Sequence, residues 1–242
     1  PQARVLLGQA HHDQSKFAEA VQVWREYLVK HPADAQWSDV QQRVVDAEYL
    51  LALDKYRAKD FQVAGQLLSE FLAKYPLDHR KPGIPVLFGR MNYQQKQWDA
   101  AIADWLRVVS KHPQTNEASY AQYTIGVVTE RELGRLAEAI EAYRKVTWGN
   151  HAVEAQAAIA RLTAKSLKVV TPRVFRSHET PSIKLTTRNI PAVTVRVWRI
   201  NPEAYFRKTH RLAGVEDLDI ALIAADATFE FPIPQYAEHR EL

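Results

Sequence analysis

The sequence repeats one pattern four times, and this repetition limits the fold more than any other feature. Three stretches share identical spacings: FAEAVQVWREYLVKHP, FQVAGQLLSEFLAKYP and WDAAIADWLRVVSKHP. In each, an aromatic residue is followed three positions later by alanine, then by a large apolar residue four positions further on, and by proline twelve positions after the alanine. The fourth copy keeps Leu136, Ala139 and Tyr143 but lacks the closing proline. Repetition on this scale predicts a chain of stacked supersecondary units.

Each copy predicts the second helix of a helical hairpin. Its apolar residues form one stripe on a helix of 3.6 residues per turn, and the lysine before the proline suits the negative helix end. The segment in front of each copy is also helical in pattern and places a small residue ahead of the alanine: Gly8, Ala52, Gly89 and Gly126. Facing small residues let two helices approach to about 8–10 Å. The fourth interval is one residue longer, which predicts an inserted loop residue near Gly134.

These units resemble tetratricopeptide repeats, which have small residues at the eighth and twentieth positions, an aromatic residue at the twenty-fourth and proline at the thirty-second. In the first unit these positions are Gly8, Ala20, Trp24 and Pro32. The repeated alanines are 44, 37 and 38 residues apart rather than a constant 34. Extra turns are therefore expected between units, notably around 77–83.

The remaining helices of this part complete a solenoid. A helix longer than a standard unit needs is expected over 35–56, and a further helix over 151–162 caps the stack. The resemblance implies an α-solenoid of tetratricopeptide-like hairpins over residues 1–163.

The pattern changes after residue 163. Segments rich in Val, Ile and Thr, several of them alternating apolar with polar residues, predict strands at 167–170, 182–187, 192–200 and 227–231. Prolines between these segments forbid a long helix, although a short helical turn is expected after Asn201. The predicted fold class is therefore α + β multidomain, an α-solenoid followed by an antiparallel β-sandwich over 164–242. Such a sandwich needs about 100 residues, so a strand is expected to be missing.

The stretch SIKLTTRNIPAVTVRVWRINPEAYF resembles the first β-sandwich modules of bacterial alpha-2-macroglobulin-like proteins. The resemblance implies a large extracytoplasmic protein of the periplasm or cell envelope that inhibits endopeptidases by trapping them, with helical repeats ahead of its macroglobulin modules. The bait segment and the thioester-forming cysteine and glutamine of that family have no counterpart here. The resemblance therefore assigns no functional residue.

Composition and spacing exclude several kinds of site. The chain has no cysteine, which rules out disulfides, thiolate zinc sites and a cysteine nucleophile. No pair of glycines has the spacing of a nucleotide-binding loop. Adjacent helical residues such as His11 and His12 point in different directions, Pro181 interrupts the zinc signature that begins at His178, and the acidic run 216–219 lacks the glycine turn of a calcium loop. We predict no catalytic residue, no metal site, no cofactor and no enzymatic activity.

Charge and hydropathy limit the partners. The formal net charge is +4, but the tail divides into a basic stretch, 165–211, and an acidic one, 212–242, which are expected to offset each other between strands. The alternative is a basic face for nucleic acid or anionic lipid, formed by Lys184, Arg188, Arg196 and Arg199. No recognition motif accompanies those residues, so we predict no nucleic-acid partner. The longest apolar run, 220–225, is too short to span a bilayer.

A stack of hairpins turns its first helices toward one concave surface. The repeat offsets predict that this surface carries Gln9, Tyr56, Arg57, Arg90, Tyr93 and Tyr123, with Glu48 and Glu130 among them. Aromatic and arginine side chains suit the binding of an extended peptide. The lysine–asparagine arrangement by which some tetratricopeptide domains clamp a C-terminal carboxylate is not reproduced, because the first unit has Val5 and Gln9 there.

Two functions follow from these observations. The first is a protein-interaction scaffold segment of a larger alpha-2-macroglobulin-like envelope protein, whose partner is another protein or a neighbouring module of the same chain. The chain starts with proline rather than methionine, and we expect it to be a piece of something longer. The alternative is a stand-alone adapter that binds an extended peptide in its concave groove.

Overall fold

The computed structural model describes residues 2–171, 173–176, 178–211 and 223–242. Two compact units make up the chain, Pro1–Gln156 and Ala157–Leu242. The acidic run 216–219 and the start of the apolar run 220–225 lie outside the described residues.

Helical hairpins form the first unit, as the repeat pattern predicts. Across the described residues of the first part, the helices are α1 (Gln2–Asp13), α2 (Phe17–Lys30), α3 (Trp37–Arg57), α4 (Phe61–Lys74), α5 (Ile84–Gln94), α6 (Trp98–Lys111), α7 (Asn116–Arg131), α8 (Leu136–Arg144) and α9 (Ala152–Thr163). The second helix of every hairpin begins at the residue that opens its copy of the pattern. The bounds of α3 and α9 confirm the long helix expected over 35–56 and the additional helix expected over 151–162.

The loop inside each hairpin places one residue in the left-handed region, two positions before the second helix. These residues are Ser15 (φ 59°), Lys59 (φ 62°), Lys96 (φ 60°) and Gly134 (φ 65°). In the third hairpin the loop is closed by a bond from Gln97 N–H to the carbonyl of Asn92, five residues back; in the fourth, the bond from Arg135 reaches Thr129, six residues back. The inserted loop residue near Gly134 is thereby confirmed.

Each hairpin packs a large side chain of its second helix against a small residue of its first. The indole of Trp24 is buried, and a Cβ added to Gly8 would lie 2.2 Å from its Nε1 atom. The indole N–H donates to the carbonyl of Val5 over 3.2 Å. Trp105 and Gly89 repeat this arrangement, with 2.3 Å between the added Cβ and Nε1. The sequence predicts that each glycine faces the alanine of the second helix. The atoms nearest to the added Cβ belong instead to the aromatic residue one turn after that alanine.

The other two hairpins vary the same contact. In the fourth, a Cβ on Gly126 would lie 2.5 Å from the ring of Tyr143. In the second, the pair is Ala52 and Leu68, both fully buried in one apolar cluster. A smaller side chain on the second helix therefore goes with a methyl group on the first, as close packing requires.

The side chain of Glu48 connects three helices. Its side chain is 14% exposed and forms ion pairs with Lys74, at 3.0 Å, and with Arg25. The hydroxyl of Tyr75 donates to it over 3.1 Å. Burial, and next the negative charge of Glu48, raise the pKa of Tyr75 to about 12. The carboxylate of Glu48 is thus already bound by α2, α4 and the residue after α4, and its place on the binding surface stays a prediction.

In the residues that the structure describes after α9, short strands and one helix are found. β1 (Ser166–Val170) pairs antiparallel with β2 (Lys184–Arg188), and β3 (Ala192–Val197) with β4 (Ala227–Pro232). The helix α10 (Pro202–Thr209) lies at the expected helical turn.

The observed strands match the four predicted ones, with different ends. β2 begins two residues later than predicted, and β3 ends at Val197 rather than at Ile200. Beyond β3, the backbone N–H of Arg199 donates to the carboxylate of Asp226 over 2.5 Å, so it is not available to a strand partner.

Each two-stranded sheet has one apolar and one polar face. In the β3–β4 sheet, Val193 lies opposite Phe231 and Val195 opposite Phe229, while Thr194 and Glu230 share the other face. Both phenylalanines are 50% exposed. As far as the structure describes the chain, the strands make two separate sheets, and the sandwich remains a prediction.

Asn189 ties the end of α9 to the strands. Its backbone is left-handed (φ 57°), its Nδ2 group donates to the carbonyls of Leu162 and Ala164 over 2.8 and 2.9 Å, and its Oδ1 atom accepts from the N–H of His239 over 2.7 Å. These bonds satisfy carbonyls that a helix end leaves without an internal partner.

The basic and acidic stretches of the tail lie side by side along β3 and β4, and again beside β2. Arg188 forms an ion pair with Glu241, and Thr187 exchanges two backbone hydrogen bonds of 2.9 Å with Leu242. In the β3–β4 sheet the expected offset does not occur between directly opposed residues, because Arg196 faces Thr228.

Candidate functional site

A cavity of about 330 Å³ lies among the first helices of three successive hairpins. We call it the first-helix groove. Its polar and aromatic lining comes from α3, α5, α7 and the loop before α9: Tyr49, Arg90, Asn116, Tyr120, Asn150 and His151. A larger cavity, about 460 Å³, follows α2, but a single helix lines it. Two further cavities, about 410 Å³ and 390 Å³, are lined by several helices, the first by α2, α3 and α4 and the second by α6, α7 and α8. The first-helix groove is the candidate site because it extends across the first helices of three hairpins, the helices by which stacked hairpins form a binding surface.

Arg90 is the cation of this groove. Its guanidinium carbon lies 4.5 Å from the centre of the Tyr120 ring, and its Nε group donates to the Tyr120 hydroxyl over 3.0 Å. The guanidinium forms no ion pair with any residue that the structure describes. A planar, half-buried guanidinium with unused donors is suited to bind a carboxylate in a bidentate manner.

Aromatic rings continue the groove wall beyond Arg90. The imidazole of His151 meets the Tyr120 ring edge-on at 5.5 Å and stacks on Tyr123 at 5.2 Å with 9° between the planes. The result is a row of flat surfaces on which a peptide side chain or backbone can pack.

The loop before α9 is held by Ser119. Its hydroxyl donates to the carbonyl of Trp148 over 2.7 Å and accepts a longer bond from the N–H of His151. Gly149 is left-handed (φ 72°), and a Cβ there would lie 2.6 Å from the Ser119 side chain. Glycine is therefore required for the loop to reach α7 and bring Asn150 and His151 into the groove.

Arg80 supports the α3 side of the groove. Its guanidinium lies 4.9 Å from the Tyr49 ring and 5.2 Å from the Phe71 ring, and it forms ion pairs of 2.7 Å with Asp78 and 2.9 Å with Asp46. Burial raises the pKa of Tyr49, and the positive charge of Arg80 opposes that rise. Unlike Arg90, Arg80 has its charge neutralised within the protein.

Two of the six predicted binding residues are connected through the groove. Arg90 lines it, and Tyr123 reaches it through the stack with His151. Their role in binding a partner remains a prediction.

The other predicted residues are not among those that line the groove. Gln9 accepts a hydrogen bond from Arg43 over 2.6 Å, and Tyr56 accepts one from Gln94 over 3.1 Å. Tyr93 donates a hydrogen bond to Glu132 over 3.1 Å. Burial is the main cause that raises the pKa of Tyr93, and this hydrogen bond adds to the rise. Arg57 is exposed at the end of α3.

Sequence reasoning missed Tyr49, Tyr120, Asn116, Asn150 and His151. Helical periodicity contained a signal for the two tyrosines: Tyr120 lies one turn before the predicted Tyr123, and Tyr49 two turns before the predicted Tyr56. No such signal exists for Asn150 and His151, because they belong to the irregular segment after α8.

The geometry of the hairpins agrees with the comparison to known families. Residues 87–152 match the tetratricopeptide repeat family. The match begins in α5 and extends through α8, and so includes the part of the groove around Arg90 and Tyr120. Tetratricopeptide repeats are protein-interaction modules and are typically non-enzymatic.

Solved structures resemble the chain at low sequence identity. PilF of Pseudomonas aeruginosa has 20% identity and a TM-score of 0.38 over 60% of this chain, and the match spans 59% of the PilF chain. A MamA AMB-1 structure has 19% identity and a TM-score of 0.40, with coverage of 66% of this chain and 81% of MamA. No curated protein matches the chain.

In the part of the chain that the structure describes, no helix is both long and apolar enough to cross a membrane. In the same residues, no cluster of three or more histidine, aspartate or glutamate side chains is arranged to hold a metal ion.

Proposed function

We propose that the repeat segment is a non-enzymatic interaction scaffold that holds an extended peptide of its partner in the first-helix groove. The observation that carries this proposal is the juxtaposition of Arg90, the Tyr120 ring and the Asn150 loop in one cavity lined by three helices. Such a site offers flat surfaces and hydrogen-bond donors, and it contains no nucleophile with an adjacent base, as covalent catalysis would need.

Peptide selection tests the proposal directly. A displayed library of random twelve-residue peptides is panned against the immobilised full chain. Hydrogen exchange of the chain is then measured with and without a selected peptide bound. We expect protection of amides in α5 and α7 and none in α2. Failure to select peptides, or protection confined to other helices, contradicts the proposal.

The proposed absence of catalytic activity is tested separately. A hydrolase and transferase screen on the purified chain should give no turnover. Turnover that a single substitution within the described residues abolishes would overturn the scaffold proposal.

We further propose that the strand-rich part is a macroglobulin-like module, and that the whole belongs to a protease-trapping, extracytoplasmic protein of the alpha-2-macroglobulin type. The supporting observations are the SIKLTTRNIPAVTVRVWRINPEAYF stretch and the apolar face of the β3–β4 sheet, on which both phenylalanines are half exposed. Half-sandwiches bury such faces against a second sheet. In this role the repeats hold a partner or neighbouring modules of the same protein.

The coding sequence on either side separates this proposal from a stand-alone peptide adapter. A signal sequence upstream and further strand-rich modules downstream are expected, together with recovery of the protein in the extracytoplasmic fraction of its source cells. A start codon directly before residue 1 and a stop codon after residue 242 would favour the adapter.

A further inference from the structure

We propose that the first-helix groove selects peptides that carry an internal acidic side chain, and that Arg90 binds its carboxylate. This inference rests on the proposed peptide-binding function and names the chemistry of the ligand. Arg90 is the only cationic side chain among the described residues that line the groove, and no described carboxylate neutralises it.

The stack on Tyr120 fixes the guanidinium for this role. The Nε group is engaged with the Tyr120 hydroxyl, at 3.0 Å, and the ring lies under the guanidinium carbon at 4.5 Å. The terminal nitrogens are left to donate to a ligand. Because the stack reduces the rotamers available to the free side chain, less conformational entropy is lost when a carboxylate binds.

The position of Arg90 favours an internal residue of the ligand over its terminus. Arg90 stands on α5, the middle one of the three helices, with Tyr49 of α3 on one side and Tyr120 and His151 on the other. A peptide that crosses all three helices therefore passes over α5 between its contacts with α3 and α7. The residue over α5 then lies near the middle of this segment.

The other charge in the groove sets a second condition. Glu117 also lines it, in the first turn of α7, where a carboxylate is stabilised by the positive helix end. It repels an acidic ligand. Removing its charge should therefore strengthen the binding of such a ligand, whereas removing the charge of Arg90 should weaken it.

The probes are fluorescein-labelled hexapeptide mixtures with amidated C-termini and acylated N-termini, so that a fixed glutamate at the third or fourth position supplies a known carboxylate. The other positions are drawn from uncharged residues, and matched mixtures carry glutamine at the fixed position. Binding to the full chain is followed by fluorescence anisotropy at low and high salt.

With the unchanged chain, we expect the glutamate mixtures to bind at least about fivefold tighter than the glutamine mixtures at low salt, with a smaller ratio at high salt. Arg90→Gln should remove the preference, and Arg90→Lys, which keeps the charge, should retain part of it. Glu117→Gln should increase it. Arg144→Gln, on the exposed surface of α8, is the matched control and should leave the ratio unchanged.

The outcomes separate this inference from the function on which it rests. Binding of both mixtures with equal affinity, or a preference that survives in Arg90→Gln, overturns the role of Arg90 and leaves peptide binding standing. A glutamine mixture with a free C-terminal carboxylate that binds better than the amidated glutamate mixture overturns the internal position. Absence of binding by every mixture overturns both proposals. Circular dichroism confirms that each variant is folded.

Discussion

The packing inside a hairpin depends on glycines of its first helix, which leave room for a large side chain of its second helix. Gly89 has no space for a methyl group, since an added Cβ would lie 2.3 Å from Nε1 of the buried Trp105. Gly65, in the middle of α4, differs: the nearest side-chain atom to an added Cβ is 3.8 Å away. A methyl group therefore fits at position 65 but not at position 89, although both glycines lie in helices.

Gly89→Ala should lower the free energy of unfolding by about 1–3 kcal/mol, because the methyl group overpacks the hairpin. Gly65→Ala is the matched control and should raise it by about 0.5–1 kcal/mol, since alanine favours the helix. Urea unfolding followed by circular dichroism measures both. An equal effect of the two substitutions would show that the contact with Trp105 does not constrain the position.

The loop residues give a second prediction at this scale. Lys96 has a left-handed backbone that costs a side chain about 1–2 kcal/mol, whereas glycine occupies the equivalent position 134. Lys96→Gly should stabilise the chain by up to about 1 kcal/mol, partly offset by the greater freedom of glycine in the unfolded state. Gly134→Lys should destabilise it by a similar amount. Thermal unfolding of both variants checks the sign, and shifts in the same direction contradict the argument.

At the level of the elements, the loop between α4 and α5 shows that the spacing of the repeats predicts where a loop lies but not which residues it contacts. The long interval between repeats predicts extra turns around 77–83, and turns are found there. The spacing gives no indication that Arg80 of this loop lies over Tyr49 and Phe71. Its position results from contacts between residues distant in sequence, which local periodicity does not record.

The ion pair of this loop predicts a pH dependence. Hydrogen bonds from Arg80 hold the pKa of Asp78 at about 2, against an ordinary value of 3.8. A depressed carboxyl pKa stabilises the folded state above the unfolded pKa, and that contribution is lost as the pH falls from about 4 toward 2.

Asp78→Asn should therefore destabilise the chain by about 2 kcal/mol at pH 6 and by much less at pH 2.5. The carboxylate of Asp78 is only 8% exposed, so solvent screens it little. Asp46→Asn, at a side chain that is 46% exposed, should cost less than about 1 kcal/mol. Denaturant unfolding at both pH values gives the four differences. An Asp78→Asn penalty that is the same at both would contradict this account.

For the molecule as a whole, sequence predicted the helical part in more detail than the groove. The repeated spacing located every hairpin and the inserted residue near Gly134, because helix packing imposes the same spacing on each unit. Of the groove, it predicted Arg90, which lies on a regular helix. It did not predict the contribution of His151, whose position depends on how the Gly149 turn meets Ser119.

The strand-rich part leads to a prediction about surface. Phe231 is 50% exposed and Phe71 2% exposed, so the same residue type occupies two environments. Phe231→Thr should cost less than about 1 kcal/mol and reduce the binding of a hydrophobic dye, whereas Phe71→Ala should cost about 3–5 kcal/mol. Calorimetry and dye fluorescence measure these effects. A penalty for Phe231→Thr as large as that for Phe71→Ala would mean that another surface covers this face in solution.

The two ways of filling a hairpin, glycine with tryptophan and alanine with leucine, restrict how such units can diverge. A single substitution that leads from one pair toward the other passes through alanine with tryptophan, which collides, or through glycine with leucine, which leaves a void. Both intermediates are less stable than either end point. Neighbouring units can therefore retain different pairs during evolution. Exchange of one pair for the other by design requires both residues to be changed together.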